Sequence, residues 1–422
     1  MRSTAERAGV RRPPLATLLG ANMVSLAGSQ ITLLAVPWFV LQATGSPARV
    51  GLVGAVEALG YVAAAFLGGP LVDRWGPKRA SVAADLASGA AIALIPALHR
   101  TVGLAFWQVA ALVFLSTFCS TPGATARQGL VPDLATLAGA RLERVNAGYQ
   151  TVRNLTQLVG PLLAGVLIAA LGASTVLWLD TATFALSALL IATAVPPAPA
   201  REAAGMGYLA DVTTGLRFLR RERVLRATGT IAALLNALGA AVFGVVLPVY
   251  AARTGGAVAF GLLAGGFGGG ALVGAIGYGL LGPRLPRRAT LVALLFLGGL
   301  AHAALLPLPP LALGVGALVL AGMALGPLNP LTITAFQERT PPELRGRVFG
   351  TLQAVSMAAA PAGLLGAGLF LEQLGLRPTL LVLAAAFLAV AIWARGNTAL
   401  RDLDIPPTTL DGAEYEKAAS TR

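Results

Sequence analysis

Apolar residues fall in long runs separated by short polar or proline-bearing segments. The runs occupy residues 15–43, 50–72, 80–98, 102–124, 155–171, 173–195, 227–252, 256–282, 289–306, 311–336, 348–371 and 378–395. A helix rises 1.5 Å per residue, so about 20 apolar residues cross a hydrocarbon core of about 30 Å. None of the runs carries the polar stripe that a helix of a soluble protein turns toward water. The fifth begins further upstream, near Arg144, with a polar first turn or two. The pattern predicts an all-α membrane protein with twelve transmembrane helices.

Composition points the same way. Apolar residues make up 56% of the 422 and charged residues 12%, with a mean hydropathy of +0.75. A soluble chain carries about a quarter of its residues as Asp, Glu, Lys or Arg because its surface must meet water. The 51 glycines and 27 prolines suit membrane helices, where small residues allow close packing. The first run is too long for a signal peptide and lacks a cleavage site, so it reads as a retained helix.

The formal charge of +13 does not indicate nucleic acid, because its placement reports orientation. Nearly all of the 31 Lys and Arg lie before the first run, in alternate loops, in the central linker or after the last run. The intervening loops hold only Arg49, Arg100, Arg253 and Arg377, and Arg153 lies within the fifth run. By the positive-inside rule both termini are cytoplasmic. The excess of Arg over Lys, with abundant Ala and Gly, points to a GC-rich bacterial source and hence to the bacterial cytoplasmic (inner) membrane.

Chemistry-bearing residues are sparse. Cys119 is the single cysteine and lies inside a run, which excludes a disulfide framework and a thiolate cluster. His99 and His302 fall in separate segments, and His302 reads as a packed or lipid-facing imidazole. No metal site and no enzymatic centre are expected. No G-x-x-x-x-G-K-[ST] sequence is present to bind nucleotide phosphate, so energy must come from an ion gradient or from the substrate itself, with no bound cofactor.

The runs divide into two sets of six. Residues 1–195 form an N-terminal six-helix bundle and residues 227–400 a C-terminal one. Residues 196–226 form a cytoplasmic linker that starts as a flexible PPAPAREAAG stretch. It continues as an amphipathic segment with Leu209, Val212, Leu216 and Leu219 apolar and Arg217, Arg220, Arg221 and Arg223 suited to lipid head groups. Residues 401–422 are polar and acidic and are expected to be a disordered tail. The halves echo each other: Lys78-Arg79 corresponds to Arg287-Arg288 and Pro132 to Pro341 at one common offset. Parallel repeats of this kind place a substrate site between pseudo-symmetric halves, near the membrane midplane.

Three motifs carry a resemblance. Gly69-Pro-Leu-Val-Asp73-Arg74-Trp-Gly76-Pro-Lys78-Arg79 follows the second run and resembles the signature inner loop of the major facilitator superfamily, G-x-x-x-D-R-x-G-x-[KR]-[KR]. Gly69 suits close helix approach and Gly76 a tight turn. The resemblance implies a latch in which Asp73 meets the start of the eleventh helix and an Arg ending the fourth, with Arg127, Arg345 and Arg347 as partners. Asp85, near the inner end of the third run, belongs with this latch. Gly160-Pro161-Leu-Leu-Ala164-Gly165 is similar to part of the antiporter motif of drug exporters, with Thr156 where that motif has a glycine. The run from Asn329 through Arg347, with Arg127-Gln-Gly-Leu-Val-Pro132-Asp133 and Leu247-Pro248-Val-Tyr250, resembles the branch of macrolide-efflux and enterobactin-type siderophore exporters.

That resemblance implies proton antiport through alternating access, exporting a small amphipathic organic molecule from a monomer surrounded by lipid. An ionisable side chain inside the membrane is costly and is kept mainly for function or structure, which makes Glu57 and Asp180 the coupling candidates. Gly28 is followed by Ser29 and Gln30, where members of the branch often carry an acid. The implied substrate cavity draws on Asn22, Ser25, Ser29, Gln30, Phe118, Asn154, Asn236, Phe243, Asn329, Thr332 and Phe336. Few of these are charged, which favours a bulky or weakly charged substrate, with Arg153 as a possible anion contact. An uptake symporter and a lysophospholipid-type flippase share the fold. A non-transporting receptor would be expected to lose the Asp73 loop, which is intact.

Overall fold

The computed structural model describes residues 13–101, 103–196 and 208–404. The described chain is helical throughout and divides into two compact units, Met1–Ala203 with Gly256–Gly261, and Ala204–Gly255 with Leu262–Arg422. Eleven helical stretches among the described residues are long and apolar enough to cross a membrane.

The first unit contains α1 (Pro13–Thr44), α2 (Pro47–Trp75), α3 (Pro77–Thr101), α4 (Phe106–Leu137), α5 (Leu142–Leu171) and α6 (Ala173–Ala194). The breaks between helices follow local chemistry. Ser46 caps α2 by accepting from the Arg49 N–H at 3.2 Å, and Pro47 occupies the first turn, where its missing N–H costs nothing. Gly76 ends α2 with φ 78°, a left-handed conformation that favours glycine, and Pro77 starts α3. Prolines 37, 96, 122, 132 and 161 lie inside helices, as membrane helices tolerate when neighbouring groups satisfy the freed carbonyls. Leu18, Leu130, Val131, Leu134, Val145 and Ile191 form a buried cluster joining α1, α4, α5 and α6.

In the second unit α7 (Tyr208–Arg221) precedes a long helical stretch, Arg223–Thr254. That stretch is α8 (Arg223–Ala241), a π-helical turn at Val242–Val246, and α9 (Leu247–Thr254). There follow α10 (Gly256–Leu281), whose residues up to Gly261 group with the first unit, then α11 (Arg287–Ala303), α12 (Leu311–Leu325), α13 (Leu328–Arg339), α14 (Arg345–Ala358), α15 (Ala360–Leu374) and α16 (Leu376–Gly396). Val224, Ile231, Leu291, Leu295, Leu328, Leu331 and Val390 form its main buried cluster. The ninth predicted span is α11, which has only 17 residues, or about 25 Å at 1.5 Å per residue. Pro307, Pro309 and Pro310 follow it, and proline ends a helix because it lacks the N–H and clashes with the preceding turn.

Burial runs opposite to that of a soluble protein. Leu280 is 70% exposed, Leu313 66% and Ile392 61%, whereas Asp85 and Arg127 are 0% and 2% exposed. Large aliphatic side chains on the outside and ionised groups inside suit a hydrocarbon surround and would fail in water.

Two boundaries differ from expectation. The linker helix α7 turns its apolar face to protein. It packs on α14, and Phe218 and Leu219 join a buried cluster with Leu225, Phe336 and Val348. Gly215 makes this contact possible: a Cβ there would lie 2.2 Å from Thr351 Oγ1 and 2.8 Å from the Arg347 carbonyl. Glu222 caps α8 by accepting from the Leu225 N–H at 2.6 Å, and Arg339 pairs with it at 3.4 Å. The side chains of Leu209 and Val212 lie outside the described part. At the other end, a 3-10 turn at Thr398–Asp404 buries Leu400 and Leu403 in the main cluster, so helical order continues past the predicted boundary at residue 400. The remainder of the predicted tail, residues 405–422, is outside the described residues, as are 1–12 and 197–207.

Candidate functional site

Five helices of the first unit, α1 and α3 to α6, bring their few polar residues together. Arg127 on α4 reaches Asp85 on α3, with Nη1 2.7 Å from Oδ1. Its other donors find the Ser25 hydroxyl (3.3 Å), Asn22 Oδ1 (3.3 Å) and the Ser81 hydroxyl (3.4 Å). Ser187 on α6 donates to the second Asp85 oxygen at 2.7 Å, and the Tyr149 hydroxyl on α5 donates to Asn22 Oδ1 at 3.3 Å. An unpaired charge here would cost several kcal/mol, so the pair and its hydrogen bonds make the burial tolerable. Asn22 and Ser25, expected in the substrate cavity, are 1% exposed and belong to this network. Ser81, Tyr149 and Ser187 were absent from the sequence-derived set.

A second buried acid lies nearby in the same unit. Asp180 on α6 is 1% exposed and accepts hydrogen bonds from Thr32 on α1 and from Thr183, the latter at 3.1 Å. Gly28 makes room for it, since a Cβ there would lie 2.2 Å from Asp180 Oδ1 and 2.0 Å from Thr183 Oγ1. Glu57 on α2 has a different setting. It is half-buried, one helical turn from Tyr61, with no hydrogen bond or ion pair among the described residues.

The remaining predicted residues of this unit are spread along their helices. Ser29 donates to the Ser25 carbonyl at 2.9 Å, Gln30 packs against Gly160, and Phe118 stacks on Phe114 at 5.9 Å. Asn154 and Arg153 are exposed on α5. Pro161 lies inside α5, and Gly165 approaches Gly261, also of this unit, so closely that a Cβ on Gly165 would stand 2.8 Å from the Gly261 Cα. In the signature loop Arg74 and Arg79 are exposed and Lys78 is half-buried. The surroundings of Gly69 and the side chain of Asp73 lie outside the described part.

In the second unit lies a half-open pocket of about 390 Å³, with Asn236, Asn329 and Gln353 on its exposed side. Ile231, Leu235, Leu325 and Leu328 supply aliphatic wall, and Phe243, Phe267 and Phe387 supply aromatic wall. Asn236, His302, Asn329, Thr332 and Gln353 are the polar groups, and the lining has no Asp, Glu, Lys or Arg. Phe243 is carried by the π-helical turn, a feature frequent at functional sites because the extra residue re-aims side chains. It meets Phe267 edge to face at 4.7 Å. Four of the predicted substrate residues, Asn236, Phe243, Asn329 and Thr332, thus converge on one hollow, while Phe336 is 2% exposed in the cluster beneath α7. Sequence reading missed Phe267, Gln353 and Phe387, and it placed His302 only as packing. Arg345 donates from Nε to the Thr340 carbonyl at 3.2 Å, and the Arg347 carbonyl accepts from Thr351 at 2.8 Å.

A multi-pass helical chain with an apolar exterior, buried charge and a mostly apolar pocket is built as a membrane protein. The chain belongs to the Major Facilitator Superfamily, whose sequence profile matches residues 18–255 and 229–415. It is 34% identical over 402 residues to the multidrug efflux pump Tap of Mycobacterium tuberculosis, covering 94% of this chain and 96% of the pump. It is 24% identical over 397 residues to macrolide efflux protein A of Streptococcus pyogenes, covering 92% and 97% of the two. Among solved structures, a bacterial homologue of the human lysosomal transporter Spinster superposes with a TM-score of 0.70 at 15% identity, covering 97% of this chain and 100% of that one. The nucleoside transporter NupG superposes with a TM-score of 0.69 at 13% identity, covering 90% and 98%. At these identities the two structures speak for the fold alone.

Proposed function

We propose that the chain is a secondary active exporter of small amphipathic organic molecules, drugs or antibiotics among them, that exchanges substrate for protons by alternating access. The observation that carries this reading is the 34% identity to the Tap pump across 94% of the chain. The cavity of the second unit supports it chemically. Its aromatic and aliphatic walls with a few amides suit an apolar body bearing neutral polar groups, and it offers no cation to a polyanion. The protein works as a monomer in the bacterial cytoplasmic membrane with both termini inside, without nucleic acid or a bound cofactor, and performs no covalent chemistry.

For coupling, the surroundings of the two acids divide the work. Asp180 is enclosed and its oxygens are taken by threonine hydroxyls, which fits a carboxyl that holds α1 to α6. Glu57 is half-buried and has no described partner, so a proton can reach and leave it at little structural cost. Glu57 is therefore the proton carrier.

The test uses bacteria overexpressing the chain, with Asp73→Asn as the inactive control, against a panel of drugs and metabolites. Raised resistance to some compounds is expected, and their addition to energised everted vesicles should dissipate the pH gradient. Glu57→Gln should abolish that dissipation while leaving expression intact. Unchanged exchange in the variant removes Glu57 from the mechanism, and no resistance shift for any compound favours uptake or lipid movement instead.

A further inference from the structure

His302 is the polar group of the second-unit cavity that the family resemblance did not single out, and its hydrogen bonding fixes what it can offer. The side chain is 4% exposed on α11 and stacks on Phe387, with ring centroids 4.3 Å apart and planes 17° from parallel. Its Nδ1 lies 2.8 Å from the Gly298 carbonyl oxygen. A carbonyl only accepts, so Nδ1 carries the proton and the neutral ring leaves Nε2 as an acceptor. No described group hydrogen-bonds to Nε2. The ring lines the pocket together with Phe243, Phe267 and Phe387.

The neighbouring polar groups sharpen the point. Thr332 spends its hydroxyl proton on the Leu328 carbonyl at 2.7 Å, and Asn236 donates to the Ala232 carbonyl at 3.3 Å. The amides of Asn236, Asn329 and Gln353 lie on the exposed side of the pocket, so their oxygens stay open to water, whereas His302 is the buried polar group of the lining. A ligand stacked among the phenylalanines would cover His302 Nε2, already on a side chain 4% exposed, and leave it unpaired unless it brought a donor of its own, and an unmade hydrogen bond at a buried group is costly.

We infer that this cavity selects neutral planar aromatic molecules bearing an O–H or N–H donor, with His302 Nε2 as the specificity-determining acceptor and the phenylalanines as the stacking wall. The inference rests on the transport reading for its biological meaning, but its test needs no transport.

The purified full chain in nanodiscs is titrated with two fluorescent probes, 2-naphthol and its methyl ether 2-methoxynaphthalene, with empty nanodiscs as the partition control. The parent protein should bind 2-naphthol about tenfold more tightly than the ether, the scale of one hydrogen bond in an apolar site. His302→Phe keeps a flat ring against Phe387 and removes both nitrogens, so it should bind the two probes equally and at the ether's affinity. His302→Gln restores an acceptor oxygen and should recover part of the preference for 2-naphthol. A preference that survives in His302→Phe, equal binding of the probes by the parent, or binding of neither overturns the proposal. Binding as described without any efflux in cells would instead sink the exporter reading and leave the site standing.

Discussion

Truncating Asp85 to alanine tests the central packing argument for the first unit. The substitution leaves the Arg127 guanidinium, 2% exposed, with only neutral oxygens from Asn22, Ser25 and Ser81 at 3.3–3.4 Å in place of a carboxylate at 2.7 Å. The Ser187 hydroxyl loses its acceptor as well. Removing one partner of a buried pair costs about 3–5 kcal/mol, because the surviving charge stays in a medium that solvates it poorly. At about 2–4 °C per kcal/mol for a unit of this size, the melting temperature should fall by roughly 6–20 °C. The assay is tryptophan-fluorescence melting of the purified protein in detergent. Asp85→Asn keeps an acceptor oxygen and should fall between parent and Asp85→Ala. Combining it with Arg127→Gln removes both charges, so the double variant should be more stable than the sum of the two single losses allows. A melt of Asp85→Ala within about 2 °C of the parent, or strict additivity in the cycle, would refute the reasoning.

Other consequences can be checked more briefly. Gly215→Leu drives a side chain into Thr351 and the Arg347 carbonyl, which should lift α7 off α14. Tryptic cleavage at Arg217, Arg220 or Arg221 in proteoliposomes should then accelerate on the order of tenfold, and an unchanged cleavage rate would mean that α7 is held some other way. Arg287 and Glu338 form a two-pronged pair, but both are about a third exposed. Arg287→Ala should therefore cost less than about 1 kcal/mol in the same melting assay, and a loss comparable to that of Asp85→Ala would contradict the contrast between screened and buried charge.

The helices were legible because membrane spans need little more than length and hydropathy, and the apolar runs supply both. Even the short α11 was marked by the prolines that follow it. Pairings were harder to read. Arg127 and Asp85 lie on different helices, and nothing in either run states that their depths match; the sequence grouped both with the latch without pairing them. The π-helical turn at Val242–Val246 was invisible because a one-residue shift of hydrogen-bond register leaves no hydropathic trace, yet it carries Phe243. His302 looked like packing because a single imidazole in an apolar run has no periodic partner. Its role depends on Phe387 and Gly298, one on another helix and the other a turn away on its own. The linker helix was legible as amphipathic, but periodicity cannot tell a lipid head group from α14.

The brevity of α11 has a consequence for the surrounding lipid. A helix of 17 residues spans about 25 Å, several ångströms less than an average hydrocarbon core of about 30 Å, and a bilayer meets a short span by thinning beside it. The thickness of the host membrane therefore bears on how α11 is held among its neighbours.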